Sequence, residues 1–379
     1  MKLAVNATVA QVRRTGIGRS VVELFRHFSE LSPETEIRYY WNRGWHEELP
    51  PDPNPVKEGP TSLVGRIKQG LPWAYLLRDR VEGFHLARLP RDFVPDLLHH
   101  PNYVSPPTCL PVVSTVHDLA FLRHPDCLPR ARRDWLARNL PRALYSAKGI
   151  IAVSEFTKRE LIELMGVDPA RVRVVPNAVA KTFGPPLPEI RASVCRKYGL
   201  EEGHYGISVG SIEARKNLGV LLGAQRILKE RGGRVPPLVL VGGWEKNSGP
   251  ILADPLLNSG AVRALGYVPD DELIALLSGA LYAAAPSRYE GFGMTILEAM
   301  ACGVPVLHSA IEAHEEVAAG AAVALPVDSP ECWAEAMKRM FDEPAWREDF
   351  QKRGFERARR FTWQSSAKLL LDAYRDFAS

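Results

Sequence analysis

The chain of 379 residues has few of the features that mark secreted or membrane-spanning proteins. Its five cysteines are scattered and form no CxxC pair, so the sequence predicts neither a disulfide framework nor a zinc site. No apolar run approaches the roughly 20 residues of a membrane-spanning helix. The N-terminus, Met1–Asn6, has the pattern of a strand and lacks the long apolar stretch of a signal peptide. These absences predict a protein of the reducing cytoplasm.

A strong excess of one charge is also lacking, because the net charge is only +4. The charges are nevertheless uneven: residues 1–180 contain 25 Lys and Arg against 19 Asp and Glu, a net charge of +6, and the remainder has −2. A basic first half favours an anionic acceptor, or peripheral contact with the inner face of the membrane. A merely solvated, Arg-rich surface is the alternative. We expect no nucleic-acid partner.

The most basic stretch, Arg130–Arg142, has the spacing of an amphipathic helix with Trp135, Leu136 and Leu140 on its apolar face. Pro141 weakens the prediction of a long helix, because proline removes a backbone hydrogen bond. Such a helix is a candidate for contact with anionic lipid or with an anionic acceptor.

Length and pattern together predict two α/β domains. A hydrophobic core rarely grows beyond about 250–300 residues, and apolar runs alternating with helical patterns are typical of parallel sheets covered by helices. The boundary follows Val172–Val175, and Gly184–Pro188 forms a stiff linker. The predicted domains are 1–180 and 181–361, with a C-terminal helix of about 362–379 expected to pack back on the first. Twelve strands are predicted: Leu3–Asn6, Ile37–Trp41, Leu97–His99, Val112–Val116, Ile150–Val153, Val172–Val175, Gly206–Val209, Leu238–Val241, Val262–Leu265, Leu281–Ala284, Val304–Leu307 and Ala322–Leu325. The Pro-rich stretch Pro50–Pro60 is expected to be an irregular loop.

The most informative segment, Pro286–Val306, consists of a glycine-bearing loop, a helix and the start of a strand. Gly291 and Gly293 allow close approach of the backbone to a ligand, and the helix N-terminus suits a phosphate. Glu290 and Glu298 bracket this turn and are able to bind different hydroxyl groups of one extended ligand. Their spacing alone favours two solvated carboxylates.

The wider pattern, Glu290-Gly-Phe-Gly followed by Glu298-Ala-Met-Ala-Cys-Gly-Val-Pro-Val, resembles the E-x7-E signature of the GT4 family of retaining glycosyltransferases. The resemblance extends over most of the chain and is weakest over residues 42–95. It implies the GT-B fold, in which two Rossmann-like, doubly wound parallel-sheet domains face a central cleft. The nucleotide-sugar donor would then bind mainly to the C-terminal domain, and the acceptor mainly to the N-terminal domain.

The resemblance implies roles for residues of the second half. Glu290 would be catalytic and lie beside the transferred sugar, and Glu298 would bind the ribose hydroxyl groups. Arg215 and Lys216 would grip the donor diphosphate, although without the resemblance they would be the exposed start of a helix. The other implied donor-binding residues are Ser211, Tyr267, Val268, Phe292, Gly293, Met294 and Thr295.

Some of these positions depart from the family pattern. Ser211 stands where some members have a phosphate-binding arginine, so one charge contact would be absent. Met294 and the stretch His308–His314 differ from commoner residues and are candidates for tuning which sugar is accepted. His308 and His314 themselves match no family role and are expected to be structural or surface residues.

In the first half, Thr15-Gly16-Ile17-Gly18-Arg19 resembles the family's glycine-rich loop beside the sugar and acceptor, which makes Gly16 and Gly18 donor-binding candidates. A helix is predicted to follow from about Ser20 to Leu31. The full G-x-G-x-x-G pattern of dinucleotide-binding proteins is missing, because Val21 stands at its third glycine position.

His117, at the carboxyl end of Val112–Val116, matches the family's donor-sugar histidine and is the second catalytic candidate, with Asp118 on the acceptor side. The stretch His117–Pro125 looks most like that of bacterial mannosyltransferases of polysaccharide assembly. The implied reaction therefore transfers a hexose to a glycan, lipid-linked or small-molecule acceptor. GDP-mannose, which would supply mannose, is the first choice of donor. UDP-glucose, UDP-GlcNAc and a dTDP- or GDP-deoxysugar stay open as donors.

Neither a metal nor a cofactor is expected. No D-x-D motif is present, and the acidic residues of Asp270–Glu272 are expected to complement a helix dipole. The pair His99-His100 has no nearby acidic or cysteine ligands in the sequence.

Two other functions stay open at this point. A GT-B-fold epimerase acting on a UDP-sugar would need a different set of acids and bases. A catalytically silent nucleotide-sugar-binding protein would not need to retain Glu290, Glu298 and Lys216.

Overall fold

The computed structural model describes residues 1–11, 16–51, 72–232, 236–243 and 249–378. Of the segments singled out above, Thr15 and residues 52–60 of the Pro-rich stretch lie outside the described residues. The chain divides into two compact units. One comprises Met1–Ala178 with Thr362–Ser379, and the other comprises Val179–Phe361.

The first unit is built on one sheet. Its strands are β1 Lys2–Asn6, β2 Glu36–Trp41, β3 Gly44–His46, β4 Leu97–His100, β5 Val112–Val116, β6 Gly149–Ala152 and β7 Val172–Val174. Their spatial order is β3-β2-β1-β4-β5-β6-β7, and every pairing is parallel except that of β2 with β3. The α-helices are Gly16–Leu31, Pro72–Leu86, Ala120–Arg123, Arg130–Ser146, Glu155–Met165 and Trp363–Ala378, and the 3-10 turns are Thr8–Ala10, Pro125–Cys127 and Pro169–Arg171.

The edge strand β3 is absent from the sequence prediction. It forms a hairpin with β2 through Asn42 and Arg43, whose φ angles of 48° and 62° are left-handed. A two-residue hairpin turn of this kind needs left-handed backbone at both positions and usually contains glycine. Asn42 favours such a turn, but Arg43 does not, so the turn signal in the sequence is weaker than that of an Asn-Gly pair.

In this unit one helix begins earlier than predicted, and the amphipathic helix predicted from Arg130 is confirmed and extends past Pro141. The first helix begins at Gly16, so Gly16–Arg19 forms its first turn and not a loop. Arg130–Ser146 is one continuous helix although it contains Pro141. Its buried residues Leu136, Leu140 and Leu144 explain the continuity, because burial of this apolar face outweighs the lost hydrogen bond.

The second unit also has one sheet, which is parallel throughout its described pairings. Its strands are β8 Gly206–Val209, β9 Leu238–Val241, β10 Val262–Gly266, β11 Tyr282–Ala285, β12 Val306–Ser309 and β13 Val323–Leu325, in the spatial order β10-β9-β8-β11-β12-β13. The α-helices are Pro188–Lys197, Leu218–Glu230, Gly249–Leu252, Asp270–Ser278, Met294–Ala301, Glu312–Ala318, Pro330–Asp342 and Pro344–Ala358, and the 3-10 turns are Ala214–Lys216 and Pro255–Asn258. Both sheets confirm the predicted parallel α/β class.

All twelve predicted strands are confirmed, although most differ at their ends by one or two residues. The four residues of β9 are fully buried, as expected of a strand covered by helices on both faces. In the first unit, the C-terminal helix Trp363–Ala378 packs on Gly16–Leu31, where the rings of Tyr374 and Phe28 meet edge to face at 5.6 Å. Within the described part of the chain, no helix combines the length and apolarity that a membrane crossing requires.

Each sheet has its strand order reversed about its first strand. In the first unit β1 lies between β2 and β4, and in the second β8 lies between β9 and β11. At such a switch point the connections leave in opposite directions, so a crevice opens at the carboxyl ends of the two strands. The second unit's crevice therefore lies beside the loops that follow β8 and β11.

Candidate active site

Glycines end three neighbouring strands of the second unit. Gly210 follows β8, Gly242 follows β9 and Gly266 ends β10. Gly210 and Gly242 have φ angles of 144° and 146°, in the region that favours glycine. A Cβ atom on Gly242 would lie 1.9 Å from the Gly210 carbonyl oxygen, so a side chain here would force the two loops apart.

Arg215 and Lys216 lie in the 3-10 turn Ala214–Lys216, between β8 and the helix Leu218–Glu230. Their side chains are only 15% and 17% exposed. The backbone N–H of Arg288 donates to the Arg215 carbonyl oxygen at 2.8 Å, which joins the loop after β8 to the loop after β11. The fold thus brings the predicted phosphate-binding pair to the switch point.

The carboxylate of Glu290 lies between these two cations. Lys216 Nζ donates to Glu290 Oε1 at 2.6 Å, and the Arg215 guanidinium donates to Oε2 at 2.8 Å. Ser287 Oγ donates to Oε1 at 2.8 Å. The second arm of Arg215 donates to Glu213 at 2.7 Å. Each cation therefore has a carboxylate partner.

Electrostatics keep Glu290 ionised. Burial on its own raises the pKa of this carboxyl, but the adjacent charges of Lys216 and Arg215 outweigh burial and hold the pKa well below its usual range. An ionised carboxylate only accepts hydrogen bonds. In this state Glu290 neutralises part of the positive charge that an incoming phosphate would meet.

Gly293 is the N-cap of the helix Met294–Ala301 and has a φ of 118°. The first N–H groups of a helix have no partner within it, and the helix dipole favours an anion at that end. Thr295 lines the switch-point crevice together with Lys216 and Ser211. Four of the predicted donor-binding residues thus meet at one place, since Gly293 begins the same helix turn.

The remaining predicted residues of this loop and helix are more enclosed. Phe292 is buried against Phe361, with ring centroids 5.8 Å apart. Met294 is half-buried at the start of the helix. Glu298 lies one turn later in the same helix and is 8% exposed. Its carboxylate is therefore buried close to the loop that begins at Glu290. Charged groups at such depth require polar partners.

Tyr267 and Val268 follow β10, which lies two strands away from β8. Tyr267 is half exposed, whereas Val268 is buried. Neither residue is among the described residues that line the switch-point crevice. The second unit therefore places these two candidates apart from the Arg215–Glu290 cluster.

The first unit holds the other candidates. His117 directly follows β5, and its Nε2–H donates to the Pro101 carbonyl oxygen at 2.8 Å. Burial lowers the pKa of His117, so the ring is neutral with Nδ1 as an acceptor. Asp118 Oδ1 accepts the backbone N–H of Ala120, the first residue of the short following helix, at 3.0 Å.

Gly16, Gly18 and the pair His99-His100 are the other residues of the first unit that the sequence analysis named. Gly16 is exposed and Gly18 is buried, both in the first turn of their helix. His99 and His100 lie in β4, where His99 Nε2 is 2.7 Å from Thr115 Oγ1 and the ring is part of the core. In the residues that the structure describes, no cluster of three or more metal-ligating side chains occurs.

Sequence reasoning missed two members of the cluster. Ser287 lies inside the segment Pro286–Val306, Glu213 lies between the predicted residues Ser211 and Arg215, and both bond to members of the central ion pairs. Ser287 is three residues before Glu290, in the same loop, which was the one available signal. Glu213 gave none, because its partner Arg215 is two residues away and such neighbours are usually separate on a helix.

Comparison with known proteins places these features in a family. Residues 14–182 match the model of glycosyltransferase family 4, and residues 196–357 match that of glycosyl transferases group 1. The O-antigen chain mannosyltransferase B of Escherichia coli is 32% identical over 367 residues, which cover 95% of this chain and 96% of that protein. The chain belongs to the GT4 family of glycosyltransferases.

Other proteins are similar in sequence or in fold. A D-inositol 3-phosphate glycosyltransferase of Salinispora tropica is 29% identical and aligns with 95% of this chain and 80% of that protein. Sucrose-phosphate synthase of Thermosynechococcus elongatus superposes with a TM-score of 0.71 at 20% identity, over 99% of this chain and 98% of that one. Anabaena HepE in complex with UDP and glucose superposes with a TM-score of 0.67 at 14% identity, over 99% of both chains. The predicted GT-B fold is confirmed, and with it the GT4 resemblance.

Proposed function

We propose that this GT4 protein transfers a hexose with retention of anomeric configuration, using a nucleoside diphosphate-sugar as donor. The observation that supports this most is the cluster of Arg215, Lys216 and Glu290 at the switch point of the second unit, beside the helix N-terminus at Gly293. Two enclosed cations and an anion-favouring helix end suit a diphosphate. The carboxylate of Glu290 is suited to accept hydrogen bonds from the sugar hydroxyl groups.

Donor binding exchanges partners within this cluster. The diphosphate takes the hydrogen bonds of Arg215 and Lys216, which Glu290 accepts in the ligand-free protein. Glu290 is then released toward the sugar, where its negative charge stabilises the positive charge that grows at the anomeric carbon. Ser287 stays bonded to Glu290 and limits how far the carboxylate moves.

The reaction breaks the bond between the anomeric carbon and the diphosphate oxygen, and that oxygen keeps the electron pair. Arg215, Lys216 and the amides near Gly293 stabilise the charge on the leaving group. The acceptor hydroxyl attacks from the face that the leaving group departs, and its proton passes to the departing phosphate. This route needs no covalent nucleophile, and Glu290 contributes its negative charge without forming a bond to the sugar. It also needs no metal, because the two cations neutralise the diphosphate.

Mannose from GDP-mannose is the donor that we propose first. The similarity to a mannosyltransferase extends over 95% of the chain, and that protein's name concerns the O-antigen chain. A growing glycan or a lipid-linked glycan is the acceptor that fits best with it. In the first unit, His117 presents Nδ1 as an acceptor, which suits a hydroxyl group of the transferred sugar.

A surface of the first unit supports contact with an anionic membrane. The helix Pro72–Leu86 exposes Leu77, Val81 and Phe84, with 55%, 38% and 56% of their surfaces accessible. Trp135 of the basic helix Arg130–Ser146 donates to Asp79 of Pro72–Leu86 at 2.9 Å, so the two helices lie side by side. The basic helix exposes Arg130, Arg132, Arg138 and Arg142. We call these exposed apolar and basic residues the basic–apolar surface, and combined basic and apolar residues favour anionic lipid.

Donor identity is tested by thermal shift followed by turnover. GDP, UDP and dTDP and their sugars are each added to the purified chain, and the preferred nucleotide raises the melting temperature most. GDP-mannose is then incubated with a mannose-ended oligosaccharide, and the anomeric configuration of the product is read by NMR. We expect α-linked mannose, the configuration of the donor. Product of inverted configuration, or no transfer with any nucleotide sugar that binds, would contradict the proposal.

A further inference from the structure

His314, in the helix Glu312–Ala318, is completely buried. Neither of its ring nitrogens makes a hydrogen bond with any residue that the structure describes. The nearby carbonyl oxygen of Ser309 accepts from His308 Nδ1 at 2.9 Å, and it also acts on the His314 ring without reaching the geometry of a hydrogen bond. Burial of an imidazole without hydrogen bonds is unfavourable, because the ring loses its contacts with water and gains none. A group in this condition calls for an explanation.

The ring lies directly against the loop of the candidate active site. A Cβ atom built on Gly293 would be 3.2 Å from His314 Cδ2 and 3.8 Å from its Nε2. Glu290 stands at the start of that loop, and its charge acts on the His314 ring more strongly than that of any other residue. The two His314 nitrogens, which have no hydrogen bond, therefore lie in the neighbourhood of the Glu290 carboxylate.

His308 provides an internal comparison. It is also buried, and its ring meets that of His314 edge to face at 5.7 Å. Unlike His314, it has a hydrogen bond to a backbone carbonyl. The two buried histidines thus differ in one respect. His308 makes a hydrogen bond, whereas His314, whose ring lies against the Glu290 loop, makes none with the described residues.

The hydrogen bonds of Glu290 suggest when His314 gains a partner. In the ligand-free protein the carboxylate accepts from Lys216, Arg215 and Ser287. Donor binding, as proposed above, moves the first two to the diphosphate and leaves Glu290 with Ser287 and the sugar hydroxyl groups. A buried carboxylate that loses two charged donors is stabilised by a further N–H that fixes its orientation beside the sugar, and His314 offers an unused one.

We propose that His314 is a positioning residue for Glu290, whose ring N–H donates to the Glu290 carboxylate once a nucleoside diphosphate-sugar has taken Lys216 and Arg215. This inference rests on the proposed function. Burial lowers the pKa of His314 to about 3, so the ring is neutral and has one N–H donor. It orients the carboxylate beside the sugar without transferring a proton.

Because His314 acts through Glu290, its loss should affect turnover and not nucleotide binding. His314→Leu removes the N–H at similar volume, and His314→Gln keeps an N–H donor near the position of Nε2. We expect His314→Leu to bind GDP as the wild type does, with kcat lower by about 10- to 100-fold, the effect of losing one hydrogen bond to a charged group. His314→Gln should recover most of this kcat. The melting temperature of His314→Leu should equal or exceed that of the wild type, because the leucine leaves no unsatisfied polar group.

His308→Leu is the matched control. It removes a ring of the same kind that has a hydrogen bond, so it should lower the melting temperature and reduce kcat far less than His314→Leu does. A fall in melting temperature for His314→Leu, or failure of that variant to fold, would assign the ring a structural role and overturn the inference. Equal kcat values for the Leu and Gln variants would also overturn it.

The two proposals fail in different ways. Wild-type kcat in His314→Leu, combined with loss of activity in Glu290→Gln, would remove the role of His314 and leave the proposed function standing. Wild-type kcat in Glu290→Gln would remove the proposed role of Glu290 itself.

Discussion

Lys216 Nζ lies 2.6 Å from Glu290 Oε1, where the loops that follow β8 and β11 meet. The two side chains are 17% and 15% exposed, so the pair is shielded from water. A shielded ion pair is costly to separate unless each member gains a new partner. A nucleoside diphosphate-sugar offers both at once: phosphate oxygens for the lysine, and sugar hydroxyl groups for the carboxylate.

Lys216→Ala should weaken binding of the donor and of the free nucleoside diphosphate together. The variant loses the phosphate contact and also leaves Glu290 less neutralised, which repels the phosphate. We expect a loss of roughly 2–5 kcal/mol in binding free energy, as for a partly buried charge pair. Calorimetry with GDP and UDP measures this loss.

Lys197→Ala is the matched control, because Lys197 pairs with Glu272 on the surface of the same unit and is 59% exposed. Surface pairs of this kind contribute little. Unchanged nucleotide affinity in a folded Lys216→Ala protein would exclude Lys216 as the phosphate contact.

Glu290→Gln and Glu298→Ala should have opposite kinetic effects. Glu290 strengthens its contact in the transition state, so its replacement should depress kcat strongly and leave nucleoside diphosphate affinity intact or improved, because two cations lose a competing carboxylate. Glu298 is proposed to bind the ribose in both states, so its replacement should weaken donor and free nucleotide alike. Steady-state kinetics and nucleotide titrations of both variants decide. An affinity loss confined to Glu290→Gln would mean that the two roles are reversed.

Activity should persist after metal removal. The paired cations Arg215 and Lys216 and the helix end at Gly293 supply the positive charge that a divalent ion would otherwise provide. Initial rates measured in excess EDTA should match those measured with added magnesium or manganese. A strict requirement for either ion, not reproduced by ionic strength, would contradict this prediction.

Stability should fall as the pH decreases below about 6.5. Burial lowers the pKa of His99 to about 3 and that of His100 to about 4, so both are neutral in the folded protein. In the unfolded chain they take up protons below about pH 6.5, which favours unfolding. Each contributes a loss of about 1.4 kcal/mol per pH unit, beginning below the unfolded pKa and ending at the folded one.

Urea unfolding of the first unit, followed at pH 7.0 and 5.5, measures this slope. His100→Gln should flatten it. Replacement of the half-exposed His204 with Gln is the control and should leave the slope of the first unit unchanged, because His204 belongs to the second unit. Equal stability at the two pH values would show that the buried rings are not neutral in the folded state.

The basic–apolar surface should bind vesicles that contain anionic lipid. Co-sedimentation with phosphatidylglycerol vesicles should exceed that with phosphatidylcholine vesicles and should decrease with added salt, because the arginine charges are screened. Leu77→Ser with Phe84→Ser should reduce it at every salt concentration, since both side chains are exposed. An absence of binding at low salt would remove the membrane contact and leave the transferase proposal unaffected.

The sequence by itself determined the class of fold and the family, and it predicted most of the residues that meet at the switch point. Alternating apolar runs and helical patterns located twelve strands, because strands buried on both faces must be apolar along their whole length. The pattern around Glu290 and Glu298 indicated the family, and Arg215 and Lys216 were identified with it. These features could be predicted from the sequence, because each depends on residues that are close in the chain.

Only the tertiary structure decided which of these residues meet, and in what state. The ion pairs of Glu290 with Lys216 and Arg215 join loops more than 70 positions apart in the chain, and only the strand order that places β8 beside β11 brings them together. The strand β3 depends on a turn without glycine, and the helix through Pro141 depends on apolar burial. His314 was expected to be a structural or surface residue, yet it is buried without hydrogen bonds to the described residues, against the Glu290 loop. Packing decides such features, because burial and hydrogen bonding are properties of neighbours in space, which the order of residues does not display.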